Sequence, residues 1–475
     1  MPILRAPQQE TFVDLPLRRV RLAATTDVLV VGGGPAGIGA AVSASRLGAG
    51  VILTERYGFL GGNATAALVM PFMSFYIQRK NPGGGRGKSG PLKEAVVTGV
   101  WQEFLQKLIL AKGALRALPA GKMTRWEVPF DPEIFKGIAL DMVDESGARI
   151  LFHAFSTAVC VENSRVKYAV FATKSGLIAI GASVIIDSTG DGDIACQAGE
   201  EYDLGRPLDG LTQPMTLMFR MGEFSPSRFQ SYVKKHPGQW KEGVYGLWDL
   251  IQKAEKDGRL KLPRENILFF STPHPKEVSV NSTRVCGLKG NDVWDLSLAE
   301  WLGRRQMRQI VSFLRDYVPG FRESYPIQSG VQVGVRETRR VRGLYTLTQE
   351  DILSARKFPD SIARGAYPID IHNPKGRGTL LKPLPPGEFY EIPLRCLIPK
   401  KNKGLLMAGR CISGTHEAHA SYRIMAVSMA TGQAAGVCAA LAVKNKVSPE
   451  MIPARAVRLE LRKQGADPGP TPLGA

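Results

Sequence analysis

Residues Asp27 to Glu55, DVLVVGGGPAGIGAAVSASRLGAGVILTE, constrain this chain more than any other stretch. Val28–Val31 is a short apolar run of β type. Gly32-Gly33-Gly34-Pro35-Ala36-Gly37 follows it, with glycines at 32, 34 and 37 in the spacing G-x-G-x-x-G. Ala36 to Leu47 has helical spacing and small residues, Gly48–Gly50 interrupts it, and Val51–Thr54 reads as a second strand. The three glycines serve different ends. Gly32 permits a tight turn, Gly34 lets the backbone approach a pyrophosphate, and Gly37 lets the helix lie close on the sheet. The helix N-terminus offers free N–H groups and a partial positive charge to that pyrophosphate. Glu55, 18 residues after Gly37, stands where a carboxylate accepts both ribose hydroxyls. That acid argues for an unphosphorylated adenosine ribose, in FAD or NAD, over NADP.

Composition removes several other classes. At 475 residues the chain can bury a large core, and its longest weakly polar run, Val28 to Ala44, is the glycine motif itself and no membrane span. Leu17-Arg18-Arg19-Val20-Arg21-Leu22 imitates a twin-arginine leader, but no apolar segment follows before the first strand, so cytoplasm is the expectation. The net charge of +19 suits nucleic acid, an acidic substrate or merely a basic surface. No basic segment is interleaved with aromatics and no helix-turn-helix, zinc or RNA-binding signature appears, so dispersed surface charge is the favoured reading. The six cysteines contain no C-x-x-C, which excludes the usual iron–sulfur and zinc spacings and an adjacent redox dithiol.

Along the chain, residues 1–26 read as an arm with one strand at most before the motif. Residues 27–205 and 396–465 carry nucleotide-fold texture, 206–395 read as an inserted substrate domain, and 466–475 as a disordered tail. Arg79–Pro91 is a basic glycine-rich loop, a lid or plain surface. Asp131-Pro132 opens a helix with Asp131 as N-cap, and Ala148–Asp187 is a run of short strands. A long helix covers Leu298–Tyr317, a capped one starts at Thr348 with Asp351 completing the box, and 358–393 reads as Pro- and Gly-rich coil. Leu405–Ala408 is a buried strand before Gly409-Arg410, followed by CISGTHEAHASYR and a small-residue helix, Ile424–Val443.

The nucleotide fold therefore breaks off and resumes nearly 400 residues later, which suits a cofactor lying extended between the first and last segments. VVGGGPAGIGAA, ERYGFLGGNAT, VIIDSTGDGD, GVRETRRVRG, ARGAYPIDIH and LLMAGRCISGTHEAHASYR together resemble the FAD-dependent oxidoreductase family of the glutathione-reductase-like flavoprotein superfamily. The resemblance implies an α/β chain: a Rossmann-like FAD-binding domain of glutathione-reductase type with an inserted α+β substrate domain. It implies that Gly32, Gly33, Gly34, Pro35, Ala36 and Gly37 hold the FAD pyrophosphate, and that Glu55 takes the adenosine ribose with Arg56 beside it. Gly61, Gly62, Asn63 and Ala64 would pass along the ribityl and ring side, and Val159 would contact adenine through its backbone. Thr189 and Gly190 would flank the adenosine end, Gly409 and Arg410 would approach the ribityl and pyrophosphate, and Ile424 would open the last helix at the flavin pyrimidine ring. FAD is expected to be noncovalent.

Oxidation at a flavin needs a base and fixed groups that orient the substrate. His416, Glu417 and His419 are three ionisable groups within four residues, and His416 is the first choice as proton acceptor, with packing histidines as the alternative. Arg336 and Arg339, in RETRR, suit a carboxylate or another anion, or else form a structural Arg–Glu network. His153 and His372 read as structural histidines, and no metal site is expected. The expected reaction is hydride exchange between a small molecule and flavin N5, with oxygen, a quinone or a protein as electron partner and the oligomeric state open. A flavoprotein acting on RNA, supported by charge alone, and a non-redox dinucleotide-binding protein are the alternatives.

Overall fold

The strand expected at Val28–Val31 is the end of a longer one, Arg21–Val31, in the computed structural model, which describes residues 2–7, 19–79, 92–119, 126–241 and 244–470. It sits inside a seven-stranded sheet. On one side it runs parallel to Val51–Thr54, itself parallel to Arg149–Leu151; on the other it runs parallel to Gly176–Asp187. Gly176–Asp187 is long enough for its second edge to serve two partners. Its first half pairs antiparallel with Arg165–Thr173, and its last three residues pair parallel with Leu405–Met407. The far end of the chain thus completes the sheet that residue 21 begins. The arm expected at 1–26 gives its last residues, Arg21–Thr26, to this strand, where Thr25 and Thr26 pair with Gly181 and Ala182.

Small residues bring the first and last long helices into backbone contact. Pro35–Arg46 lies against Met425–Asn445, and a Cβ on Gly432 would fall 1.9 Å from the Ala36 carbonyl oxygen, one on Gly436 2.3 Å from that of Ala40. Any side chain there would force the helices apart. Met425–Asn445 is long and apolar enough to cross a membrane, but 83% of its apolar window is buried inside the protein. Its even apolarity is that of a helix covered on all sides.

A separate core forms around the four-stranded antiparallel sheet Phe269–Ser271, Val278–Val280, Phe219–Gly222 and Tyr325–Ser329. Phe224, Phe269 and Phe321 pack there with ring centroids 4.6–5.7 Å apart, beside Ile310, Phe313 and Leu314 of the helix Val293–Tyr317. Residues from 341 onward leave this unit: Val341, Leu347, Ile352, Ile369, Tyr390 and Ile392 pack in the core of the nucleotide fold. The stretch 206–395 therefore does not pack as one body.

Three further expectations change. The coil at 358–393 contains strands Ser361–Gly365, Ile369–His372, Thr379–Lys382 and Tyr390–Pro393, paired as two short hairpin-like ladders. The disordered tail does not begin at Ala466: the Asp467 N–H donates to Thr98 Oγ1 at 2.7 Å and Arg458 Nη2 to the Gly469 carbonyl at 3.2 Å. Residues 80–91 of the basic loop and 471–475 lie outside the described residues.

Candidate active site

The glycine turn is held rigidly except where a ligand would approach. Gly32 has φ +102°, and its absent Cβ would sit 2.6 Å from the Ser188 carbonyl oxygen; that of Gly37 would sit 1.8 Å from the Gly32 carbonyl oxygen. Ser188 fastens the turn by donating its hydroxyl to the Val31 and Gly32 carbonyls, both at 2.8 Å. Gly34 is different. It is the N-cap of Pro35–Arg46, and a Cβ on it would meet only the Gly62 Cα, at 3.8 Å. The open side of Gly34 is thus a cradle that a side chain would fill, facing a helix N-terminus whose first turn carries no acid. The second glycine loop lies over the first, with the Gly61 N–H donating to the Gly33 carbonyl at 2.8 Å. Glu55 is buried beneath, accepting the Gly33 N–H at 2.7 Å and the Tyr57 N–H at 3.0 Å. Burial raises its pKa against those two bonds. An adenosine diphosphate half of FAD fits this arrangement of cradle, helix terminus and acid.

Around it, Arg56 Nη2 donates to Gln332 Oε1 at 2.6 Å and ties the inserted unit to the motif. Thr189 bonds Asp187 Oδ1 through its N–H and hydroxyl, Gly190 packs on the Arg410 guanidinium, and Arg410 Nη2 donates to Asp191 Oδ1 at 3.0 Å. Gly409 donates its N–H to Thr431 Oγ1 at 3.1 Å. Val159 does not join this group. It pairs with Ala169, which pairs with Ile180 at the level of Ala24, roughly 23 Å of strand before Val31. The segment beside Glu55 is Leu151–Ala154, through Glu55 N–H to Leu151 and Ala154 N–H to Glu55.

A cavity of about 1440 Å³ opens between the nucleotide fold and the inserted unit. Asn63, Arg410, Ile424 and Met425 border it on one side, so the N-terminus of Met425–Asn445, uncapped by any side chain and without an acid in its first turn, faces it. The cavity lining is also aromatic, with Phe229, Trp240, Tyr245, Trp248 and Phe269.

The polar wall centres on Asp370. Its Oδ2 accepts the Tyr367 hydroxyl at 2.9 Å and Arg423 Nη2 at 3.2 Å, and lies 3.4 Å from His372 Nε2. His372 Nδ1 accepts from Arg284 Nη2 at 3.2 Å, so both ring nitrogens are committed. Burial first, then Arg336 and Arg423, push the His372 pKa down to about 3 against the pull of Asp370. Its imidazole is held neutral at pH 7. His274 and Glu127 also line the cavity. His274 Nε2 lies 2.6 Å from Asp131 Oδ2, which leaves Nδ1 as an acceptor, and burial raises Glu127 to about 7.

The catalytic residues expected from sequence are mostly not on this cavity. Arg336 lines it. Arg339 faces away, donating Nη1 to Asp193 Oδ1 at 2.9 Å. His416 and His419 share one face of the short helix His416–Tyr422, yet both are buried behind the cavity wall. His416 Nδ1 pairs with Glu337 Oε1 at 2.8 Å, and Glu337 also pairs with Arg340. Burial and the guanidinium groups of Arg340, Arg423 and Arg410 push the His419 pKa well down. The cavity is lined instead by His274, Arg264, Tyr367, Asp370 and His372. The alternation Ile369-Asp370-Ile371-His372 was the available signal, since period two puts Asp370 and His372 on one strand face.

The profile of the family described as FAD dependent oxidoreductase matches residues 27–461. No curated protein sequence matches the chain. Among solved structures, a geranylgeranyl bacteriochlorophyll reductase-like protein from Thermoplasma acidophilum is 15% identical, covering 93% of this chain and 84% of its own, with a TM-score of 0.44. An aromatic hydroxylase from angucycline biosynthesis is 11% identical over 92% of this chain and 65% of its own (TM-score 0.45). A flavin-dependent brominase is 12% identical over 92% and 83% (TM-score 0.45). These likenesses are too distant to carry an inference about substrate.

Proposed function

The chain belongs to the FAD dependent oxidoreductase family, and from that premise we propose that it oxidises or reduces a small molecule held in the cavity between the nucleotide fold and the inserted unit. When bound, FAD supplies the two-electron exchange of a hydride with that substrate. The observation that supports the cavity as the site is that its lining holds both the Met425–Asn445 N-terminus, which favours negative charge, and His274, itself paired with Asp131.

In this reading Gly34, the N-terminus of Pro35–Arg46 and Glu55 hold the adenosine diphosphate half. Asn63, Arg410 and Ile424 border the ring half. His274 receives the proton that leaves the substrate when it is oxidised, with Asp131 fixing the tautomer. Tyr367, Asp370 and His372 form a rigid polar wall that orients the substrate. Noncovalent attachment belongs to the same proposal: Cys411, His416 and His419 are off the cavity, and burial pushes the Cys411 thiol pKa up. A cytoplasmic location is supported by six cysteines that are all free thiols.

The test is anaerobic addition of fractionated metabolites to the yellow protein, followed by bleaching of the flavin band, and of reduced protein to candidate acceptors. A fraction that bleaches or re-oxidises the flavin in repeated turnovers supports the reading. A flavin that no metabolite or acceptor changes contradicts it and favours a structural cofactor.

A further inference from the structure

We infer that the cavity takes an anionic substrate with an apolar body, its carboxylate held by Arg264 and Arg336; this rests on the cavity being the oxidoreductase's substrate site. Four arginines gather around Asp370 and His372, three of them (Arg264, Arg336 and Arg423) on the cavity lining, and only Arg423 and Arg284 have a carboxylate within ion-pair distance. Arg423 Nη2 lies 3.2 Å from Asp370 Oδ2, and Arg284 Nη1 lies 3.8 Å from Glu265 Oε2. Arg264 and Arg336 are in excess. Among the described residues neither has an acidic group within ion-pair distance.

Their remaining contacts are neutral. Arg264, 4% exposed, donates Nε to Asn266 Oδ1 at 3.0 Å. Arg336 spends Nη1 on the Pro214 carbonyl at 2.6 Å and on Thr216 Oγ1 at 2.5 Å. Both border the cavity. Burial first, then the neighbouring arginines, lower Arg264 to about 10 against the pull of Glu265 and Asp370, and Arg336 to about 9 against that of Asp370. A guanidinium taken out of water and left unpaired destabilises the fold, and a forked anion entering the cavity relieves it.

The apolar part of the same lining states the rest of the ligand. Phe229, Trp240, Tyr245, Trp248 and Phe269 form an aromatic wall, with Met70, Met73 and Met218 also lining the space. Such a surface takes a ring or an aliphatic chain. The anion is assigned to the substrate because Arg264 comes from the inserted unit, whereas Arg410, beside the nucleotide turn, is already paired with Asp191 at 3.0 Å.

The experiment titrates the FAD-loaded protein by calorimetry with 3-phenylpropionate and with its uncharged amide, 3-phenylpropanamide, recording flavin absorbance on the same sample. The acid is expected to bind at least about 30-fold more tightly than the amide. Arg264→Met and Arg336→Met are each expected to remove most of that preference while retaining FAD. Arg336→Lys, which keeps the charge, serves where Arg336→Met does not fold and is expected to retain part of it. Arg342→Met, altering a surface ion pair, is expected to leave the preference unchanged. Equal affinity for acid and amide, no binding of either, or unaltered preference in both cavity variants would overturn the inference. A protein that holds reducible FAD but shows no acid preference sinks this inference alone; a protein without FAD sinks the functional reading first.

Discussion

His274 Nε2 lies 2.6 Å from Asp131 Oδ2, while Asp131 Oδ1 accepts the Glu133 and Ile134 N–H groups and caps the helix Pro132–Glu145. One carboxylate therefore joins the nucleotide fold to the inserted unit and orients the histidine assigned as proton acceptor. His274→Gln is expected to slow substrate-driven flavin reduction by about 100-fold or more with FAD content unchanged. Stopped-flow reduction checks this, and an unchanged rate removes His274 from the chemistry.

Asp131 also makes a pH prediction. Burial alone raises its carboxyl, but the Ile134 N–H, His274 and Arg220 outweigh it and the pKa falls below the usual range. A depressed carboxyl adds stability above about pH 4 that is lost as pH falls through the lowered pKa. Asp131→Asn should be less stable than wild type near neutrality, and the gap should close below about pH 4 in urea melts at stepped pH. A gap constant with pH would contradict the assignment.

Gly34 and Gly37 separate cofactor binding from folding. Gly34→Ala adds a methyl that meets no protein atom closer than 3.8 Å, so the fold should survive while FAD occupancy drops by about tenfold or more. Gly37→Ala puts a Cβ 1.8 Å from the Gly32 carbonyl and should lower stability itself. Circular dichroism melts with flavin quantitation distinguish the two; equal FAD retention in Gly34→Ala would count against the cradle.

His416 should behave as a structural residue. It and Arg340 share buried Glu337, so Glu337→Gln strands a buried charge at a cost of about 3–5 kcal/mol. His416→Asn should lower the melting temperature and leave flavin reduction within a few-fold of wild type. A large loss of rate at unaltered stability would restore the role expected from sequence.

These differences show which information is local. The glycine spacing, the Asp131 N-cap and the Thr348–Asp351 capping box are each set by a few neighbouring residues, and all three stand in the structure. The cavity is not local: Arg264 and His274, Arg336, Asp370 and Arg423 come from four separate segments. Clustering in HEAH drew attention to His416 and His419, but tertiary packing put them behind the wall. His372 sits in a four-residue strand among prolines and glycines, where composition masks the alternation.

His372 gives the cleanest titration. Its folded pKa is pushed to about 3, below the ordinary value for histidine, so it penalises protonation of the folded state. Wild type should lose stability relative to His372→Asn as pH falls from about 6.5 toward 3, since the unfolded chain takes up the proton. Glu127 and Asp193, raised to about 7 and about 6, act in the opposite sense, so the comparison must be with the variant. A difference that does not vary with pH would place the imidazole in water.

The central claim, noncovalent FAD seated at Gly34 and Glu55, is tested most directly by the visible spectrum of the purified protein before and after acid precipitation. Flavin bands are predicted in the native protein and FAD in the supernatant, with a colourless pellet. A yellow pellet would contradict noncovalent binding, and a colourless protein that cannot be reconstituted with FAD would contradict the cradle itself.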